Sequence, residues 1–397
     1  MSRDGAWDNL RETTAWAAYL ACSWTWCIGM FLPVLLWRDF GAWSLAVFAA
    51  PNIVGAGAMA WSLARPGASE RFAREHRSAC RAFGIITVAF QAFFLAWLLR
   101  MLGASGWIVT AGIVGAGVLS TGIGLAARGW RRGAVLTWAI SIGLAIAFVS
   151  TRGGIRWPEA PASGARDLIW LAPVCILGFA LCPYLDLTFH AARQATTAAK
   201  GKAAFALGFG VLFAAMIAFT AVYAAAFISP GLGGAGSVAG TVGIGLVAGH
   251  MVCQLLFTIG VHGSELRRGR RGWDPSLAGA VVIASALGGA TEWPGYAGLT
   301  FGEVVYRGFM AFYGLVFPAY VWICARPIGW STGPRWRSVS VFVAAVTLAG
   351  PCYWLGFIER RAWWLAPGVA IVLMARLALA RVQEPPPAGA DGSRPLV

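Results

Sequence analysis

Apolar stretches of about twenty residues, almost free of charge, recur from Thr13 to Ala380. A helix of that length covers a hydrocarbon core of about 30 Å. Within lipid, each helix satisfies its own backbone polar groups. The expected spans are Thr13–Trp37, Ser44–Ala64, Phe83–Leu102, Trp107–Ala127 and Ala134–Ser150, then one that starts at Leu168 and has no clean end. Phe205–Ile228, Thr241–Val261, Leu277–Ala290, Leu299–Ala325, Val339–Ile358 and Trp363–Ala380 follow, making about twelve transmembrane helices. The fold class expected is all-α integral membrane, with no interval between spans long enough to build a soluble core.

Composition agrees. Charged residues make up 12% of the 397, against about 25% in soluble domains. The 21 Trp and 23 Phe suit aromatic belts at two membrane interfaces. A net charge of +15 invites a nucleic-acid reading. The excess, however, is mostly Arg in short loops between spans, where it sets topology. Lipid is therefore the expected partner, and nucleic acid is not. Clusters such as Arg65, Arg71, Arg74, Arg77 and Arg81 alternate with basic-poor loops in a three-to-one bias. That bias puts both termini in the cytoplasm, in a multi-pass protein of a bacterial inner membrane. Asp4, Asp8, Arg11 and Glu12 make the N-terminus too polar for a cleavable signal peptide. The eight cysteines are scattered without CxxC or metal-like spacing. No metal and no cofactor is expected, apart from Na⁺ or H⁺ as a coupling ion. No nucleotide-binding loop of the GxxxxGK[ST] type occurs, and no catalytic constellation suggests an enzyme.

The organisation expected is a polar lead over 1–12, a first repeat over 13–150, an external connection over 151–167, and a second repeat over 168–325. Two further spans occupy 326–381, and a disordered tail 382–397. Five spans in each repeat is an odd number, so the two repeats would lie in opposite orientations. The first span of each carries a candidate interruption: Cys27-Ile-Gly29 with Pro33, and Cys182-Pro-Tyr184. On that topology the chain resembles the leucine-transporter-like fold of the amino acid–polyamine–organocation superfamily. The resemblance implies a 5+5 inverted repeat plus two C-terminal helices, with helices 1 and 6 discontinuous. It also implies alternating-access secondary transport of a small solute, with Na⁺ or H⁺ coupling.

The residues fill in that expectation. Pro183 cannot donate to the carbonyl near Phe179, and an unwound backbone leaves half-helix ends that suit ions and polar groups. Trp24, Trp26, Cys27, Gly29, Met30, Cys182, Pro183 and Tyr184 are the candidate solute-binding residues, with spans three and eight closing the sides. Asp186, in the first turn after the second interruption, could cap the helix, ligate a cation or take up a proton. His190 lies one turn on and is expected to be solvated at the cytoplasmic mouth. His250 and Gln254, on the eighth span, are further candidates for ion coupling, or else packing and polar glue. Gln91 could be the counterpart of Gln254 in the third span. Asn52, after Pro51, could satisfy a carbonyl in the second.

Glu303 and Arg307 stand at i and i+4 and can meet as an ion pair, structural or gating. Glu303-Val-Val-Tyr-Arg-Gly-Phe309 also resembles part of the glutamate–arginine motif of the CAAX-protease and bacteriocin-processing family. The paired first glutamate of that motif is Gly302 here, and no histidine follows position 262. Hydrolysis therefore lacks its ligands. Two other classes stay open: a scaffold or sensor without transport, and a haem or quinone protein, which needs histidines facing one another across helices.

Overall fold

The computed structural model describes residues 3–104, 106, 129–152, 154–155, 157–158, 164–228, 238–268, 274–325 and 336–383. Among them, nine helices are long and apolar enough to cross a membrane, and a tenth crossing is made if one bent pair counts as a single span. No strand occurs among the described residues, only an isolated bridge between Tyr296 and Leu299. The chain is an all-helical, multi-pass membrane protein.

Helix α1 (Arg3–Trp24) bends by 55° into α2 (Cys27–Phe40). Next come α3 (Trp43–Ser62), the short α4 (Ala68–Glu75), α5 (Arg77–Met101) and α6 (Trp130–Thr151). The second part opens with α7 (Leu168–Leu181), a 3₁₀ turn over Cys182–Leu185 and α8 (Leu187–Gln194). Helix α9 (Ala198–Leu207) continues through a π-helical segment, Gly208–Phe213, into α10 (Ala214–Ile228). The remainder is α11 (Val238–Arg267), α12 (Pro275–Gly289), α13 (Phe301–Cys324), α14 (Trp336–Phe357) and α15 (Leu365–Gln383).

These positions correct several expectations. Helix already covers most of the polar lead over 1–12, starting at Arg3. Helix α11 runs past Val261 to Arg267. Helix α4 is amphipathic, burying Ser69 and Phe72 while Arg71 and Arg74 stay exposed. The expected ninth span is the short apolar α12. The expected fourth span, the loop from Ser229 up to α11, and the tail beyond Gln383 lie outside the described residues.

Lipid tails are as apolar as leucine, so packing inside a bilayer depends on close backbone approach rather than on expulsion of water. Helix α3 lies along α7, and α5 lies between α11 and α12. At Gly55 a Cβ would run into the backbone of Phe179 and Ala180; at Gly288 it would meet the carbonyl of Phe93. The glycines let α3 touch α7 and α12 touch α5. Helices α1 and α2 run through the centre, with α6, α9 and α10 on one side and α3 on another.

Basic side chains gather where α1 begins. Lys200 pairs with Glu12, whose other oxygen lies 3.6 Å from Arg131. Arg81 pairs with Asp274. Arg193 closes the end of α3 by donating to the carbonyls of Leu63 (3.2 Å) and Ala64 (2.9 Å).

Candidate functional site

Helix α1 stops at Trp24 because Thr25 and Trp26 leave helical geometry, Trp26 being fully extended (φ −84°, ψ 173°). The interruption expected at Cys27–Gly29 with Pro33 is thus displaced: Cys27 to Gly29 are already helical, and Pro33 sits within α2. Pro33 costs α2 only the bond to the Gly29 carbonyl, and that carbonyl accepts from Thr220 Oγ1 at 3.0 Å.

Side chains from other helices satisfy the rest of the interrupted backbone. Gln91 Oε1 accepts from the Cys27 N–H at 3.2 Å. Tyr306 donates to the Cys27 carbonyl at 3.0 Å, and Tyr223 donates to that of Met30. On the α1 side, Thr258 donates to the Cys22 carbonyl at 3.2 Å, and His262 Nε2 lies 3.4 Å from that of Ser23. Trp24 donates to Asn52 Oδ1 at 2.7 Å, so Asn52 serves an indole rather than a freed carbonyl.

The second interruption has a different construction. Cys182–Leu185 tighten into a 3₁₀ turn, Asp186 is extended, and α8 starts afresh at Leu187. Asp186 caps it, its Oδ1 accepting from the Thr188 N–H at 2.8 Å and the Thr188 hydroxyl at 2.7 Å. The cap leaves Oδ2 fully enclosed without a hydrogen-bond partner. His262 Nε2 stands 3.8 Å from it. The Thr188 hydroxyl also lies 3.1 Å from Ser23 Oγ, tying the two interruptions together. His190 is buried, not solvated as expected: its ring bridges the Tyr184 carbonyl (2.9 Å) and Ser69 Oγ (2.8 Å).

Beside the interruptions lies a cavity of about 60 Å³; a single water needs about 10–15 Å³. Trp24, Trp26 and Gly29 line it from the first interruption, Gly178 and Cys182 from the second, and Tyr313 from α13. The wall is apolar save for Asn52 and the polar tips of the aromatics. Those tips are engaged, Trp24 with Asn52, Trp26 with the Ser23 carbonyl at 2.5 Å and Tyr313 with Thr87 at 2.6 Å.

At the end of α2, beyond Leu36 and Phe357 of the cavity wall, charged side chains interlock. Arg38 pairs with Glu303 and with Asp39 (3.2 Å), and Arg307 pairs with Glu303 (2.8 Å) and Asp39 (2.5 Å). Arg307 also donates to the Phe357 carbonyl at 3.3 Å. At the opposite end a cleft of about 1130 Å³ lies among α1, α6, α8 and α11, with Glu12, Tyr19, Arg131, Gln194 and Glu265 on its walls.

Of the candidate solute-binding residues, Trp24, Trp26, Gly29 and Cys182 meet at the cavity. Cys27, Met30, Pro183 and Tyr184 are buried but do not line it. Cys27 and Met30 present their carbonyls to Tyr306 and Tyr223, and the Tyr184 hydroxyl turns to Ser62 at 2.7 Å. The third and eighth spans do not wall the cavity either; α3, α7 and α13 do.

His250 and Gln254 belong to a different neighbourhood from Asp186. Gln254 donates to Ser141 at 2.9 Å, and the His250 ring sits between Phe219 (5.0 Å) and Tyr223 (6.3 Å). Both nitrogens of His250 and Oε1 of Gln254 are buried without partners. Among the described residues, no group of three or more His, Cys, Asp or Glu could hold a metal ion.

Sequence reasoning missed His262, Arg38 and Asp39. His262 had a signal: His250, Gln254, Thr258 and His262 recur every fourth residue, a polar stripe on one face of a membrane helix. Arg38 and Asp39 had none, since their partners lie more than 250 positions away.

No family model matches the chain, and no curated protein matches it.

Proposed function

We propose that the chain is a secondary active transporter of a small organic solute, working by alternating access between two five-span repeats of opposite orientation. The observation that carries this reading is the cavity between two interrupted helices, with an ion-pair network beyond its α2 end and a separate wide cleft toward the start of α1. That is the asymmetry alternating access requires, since a carrier opens its midpoint site to one side at a time. The reading carries over the twelve-span, leucine-transporter-like arrangement expected from the sequence.

The basic end, with Arg131 and Lys200 around Glu12 of α1, would be cytoplasmic. The conformation would then be inward-facing, with Arg38, Asp39, Glu303 and Arg307 forming the closed outer gate. The solute would sit on Trp24, Trp26, Gly29 and Cys182. With no ionisable side chain near but the cysteines and tyrosines, an uncharged, largely apolar moiety fits best. Coupling would pass through Asp186, which joins the two interruptions through Thr188 and Ser23.

Gly178 supplies the test. It lines the cavity, and a Cβ built there meets nothing within 4 Å. Gly178→Leu should therefore fold, fill the cavity and abolish binding. A thermal-shift screen of small uncharged and zwitterionic solutes should find compounds that stabilise the wild type but not the variant. The same compounds should be taken up by proteoliposomes of the wild type alone. Uptake left intact by Gly178→Leu would refute this location for the site.

A further inference from the structure

Asp186 is an unusual carboxylate. One oxygen accepts from the Thr188 amide and hydroxyl, and the Phe189 amide also turns to the carboxylate; the other oxygen makes no hydrogen bond of ordinary geometry and has no contact with solvent. Enclosing a bare anionic oxygen is costly unless something compensates it. The group that faces it is the imidazole of His262, Nε2 at 3.8 Å. Asp186 and His262 are 0% and 1% exposed.

We infer that Asp186 and His262 together hold one exchangeable proton, and that this proton, not sodium, is the coupling ion of the proposed carrier. The inference rests on the transporter reading for the word coupling and on geometry for the proton. A hard cation such as sodium asks for a shell of oxygens. Here the free carboxylate oxygen looks onto a nitrogen. Oxygens of α1 around the pair are already engaged: the Ser23 carbonyl accepts from Trp26 Nε1 and faces His262 Nε2, the Cys22 carbonyl accepts from Thr258, and the Ser23 hydroxyl lies against the Leu20 carbonyl and Thr188. A proton needs no shell. Placed on Asp186 it makes a neutral acid beside a neutral ring; placed on His262 it makes an ion pair.

The other titratable groups within electrostatic reach of Asp186 are Tyr19 on α1, Cys80 on α5, Glu265 on α11 and Tyr313 on α13. Tyr19 and Glu265 also line the cleft. The proton would leave for water on their side, with the carboxylate and the neutral imidazole remaining.

Infrared difference spectra of the purified full-length protein, taken between mildly alkaline and mildly acidic sodium-free buffer, test this without a solute. The expected result is a protonation band that is removed in Asp186→Asn if it is a carboxyl band, or in His262→Gln if it is an imidazolium band. Asp186→Glu should move a carboxyl band rather than remove it, which covers the case where the amide variant does not fold. Replacing choline chloride by sodium chloride should leave the thermal midpoint unchanged. The inference is overturned if acidification bands persist in all three variants unaltered. It is equally overturned if sodium raises the midpoint of the wild type but not of Asp186→Asn. If the proton site is found and proteoliposomes move no solute with a proton gradient, the site stands and the carrier reading falls.

Discussion

The Oε1 of Gln91 accepts the backbone N–H of Cys27 at 3.2 Å. An amide on α5 thereby takes the place of the helical carbonyl that Cys27 lost when the chain broke at Thr25 and Trp26. A broken helix survives in a dry interior only if such substitutes exist. Gln91→Leu should leave that N–H orphaned, at about 1–3 kcal/mol. Gln91 Nε2 is itself unpartnered, so its removal offsets part of the loss. A net destabilisation of about 1 kcal/mol is expected, read as a lower thermal midpoint in detergent. An unchanged midpoint would mean that the N–H finds another acceptor.

Gly55→Ala puts a methyl group into the backbone of Phe179 and Ala180, which cannot move aside as a side chain can. Overpacking of this kind costs about 1–3 kcal/mol. The clash lies at the carbonyl that Pro183 leaves without its helical donor, so the damage should extend to the second interruption. Chemical unfolding in detergent would measure it, and wild-type stability would show that the contact between α3 and α7 has room for the methyl group.

Arg307 serves two carboxylates and a carbonyl while only 7% of its side chain is exposed. Arg307→Met leaves Asp39 and Glu303 sharing Arg38, which is 37% exposed. Removing one partner of a buried pair costs about 3–5 kcal/mol; partial exposure at Arg38 and Asp39 brings the expectation nearer to about 2 kcal/mol. The ends of α2 and α13 should separate. A cysteine placed at Leu36, in a background without native cysteines, should become reactive to a membrane-impermeant maleimide from that side. Continued protection would deny the network a sealing role.

His250 is held between aromatic rings with neither nitrogen partnered. A buried polar group without a partner costs about 1–3 kcal/mol. His250→Leu, similar in volume, should therefore raise the thermal midpoint. A fall would reveal that the imidazole has an occupant, such as an ordered water shared with Gln254 Oε1.

His76 links α4 to α13, its Nδ1 lying 3.1 Å from the Tyr320 hydroxyl. Burial lowers its proton affinity, with the Glu75 carboxylate opposing. The docked ring thus resists a proton that the undocked ring accepts below about pH 6.5. Docking should be at full strength at neutral pH and weaken as pH falls through that value. Protease cleavage between Arg65 and Arg77 should accelerate over the same range, and the acceleration should disappear in His76→Asn. A flat pH profile in the wild type would rule out this linkage.

That the chain crosses a membrane many times as helices is legible from residue order alone, because apolar run length and sparse charge are local and additive. Residue order also marked the neighbourhood of both interruptions, since Pro183 and the polar Asp186 stand out in apolar surroundings. Whether a helix yields at a particular residue depends on what waits across from it. Pro33, the stronger breaker, stays helical because Thr220 answers its freed carbonyl, while Thr25 and Trp26 give way where Gln91, Thr258 and His262 can take over. Those partners come from distant parts of the chain. Tertiary structure alone could choose the point of rupture, bring His262 to Asp186, and turn the Glu303–Arg307 pair into a four-membered clasp with Arg38 and Asp39.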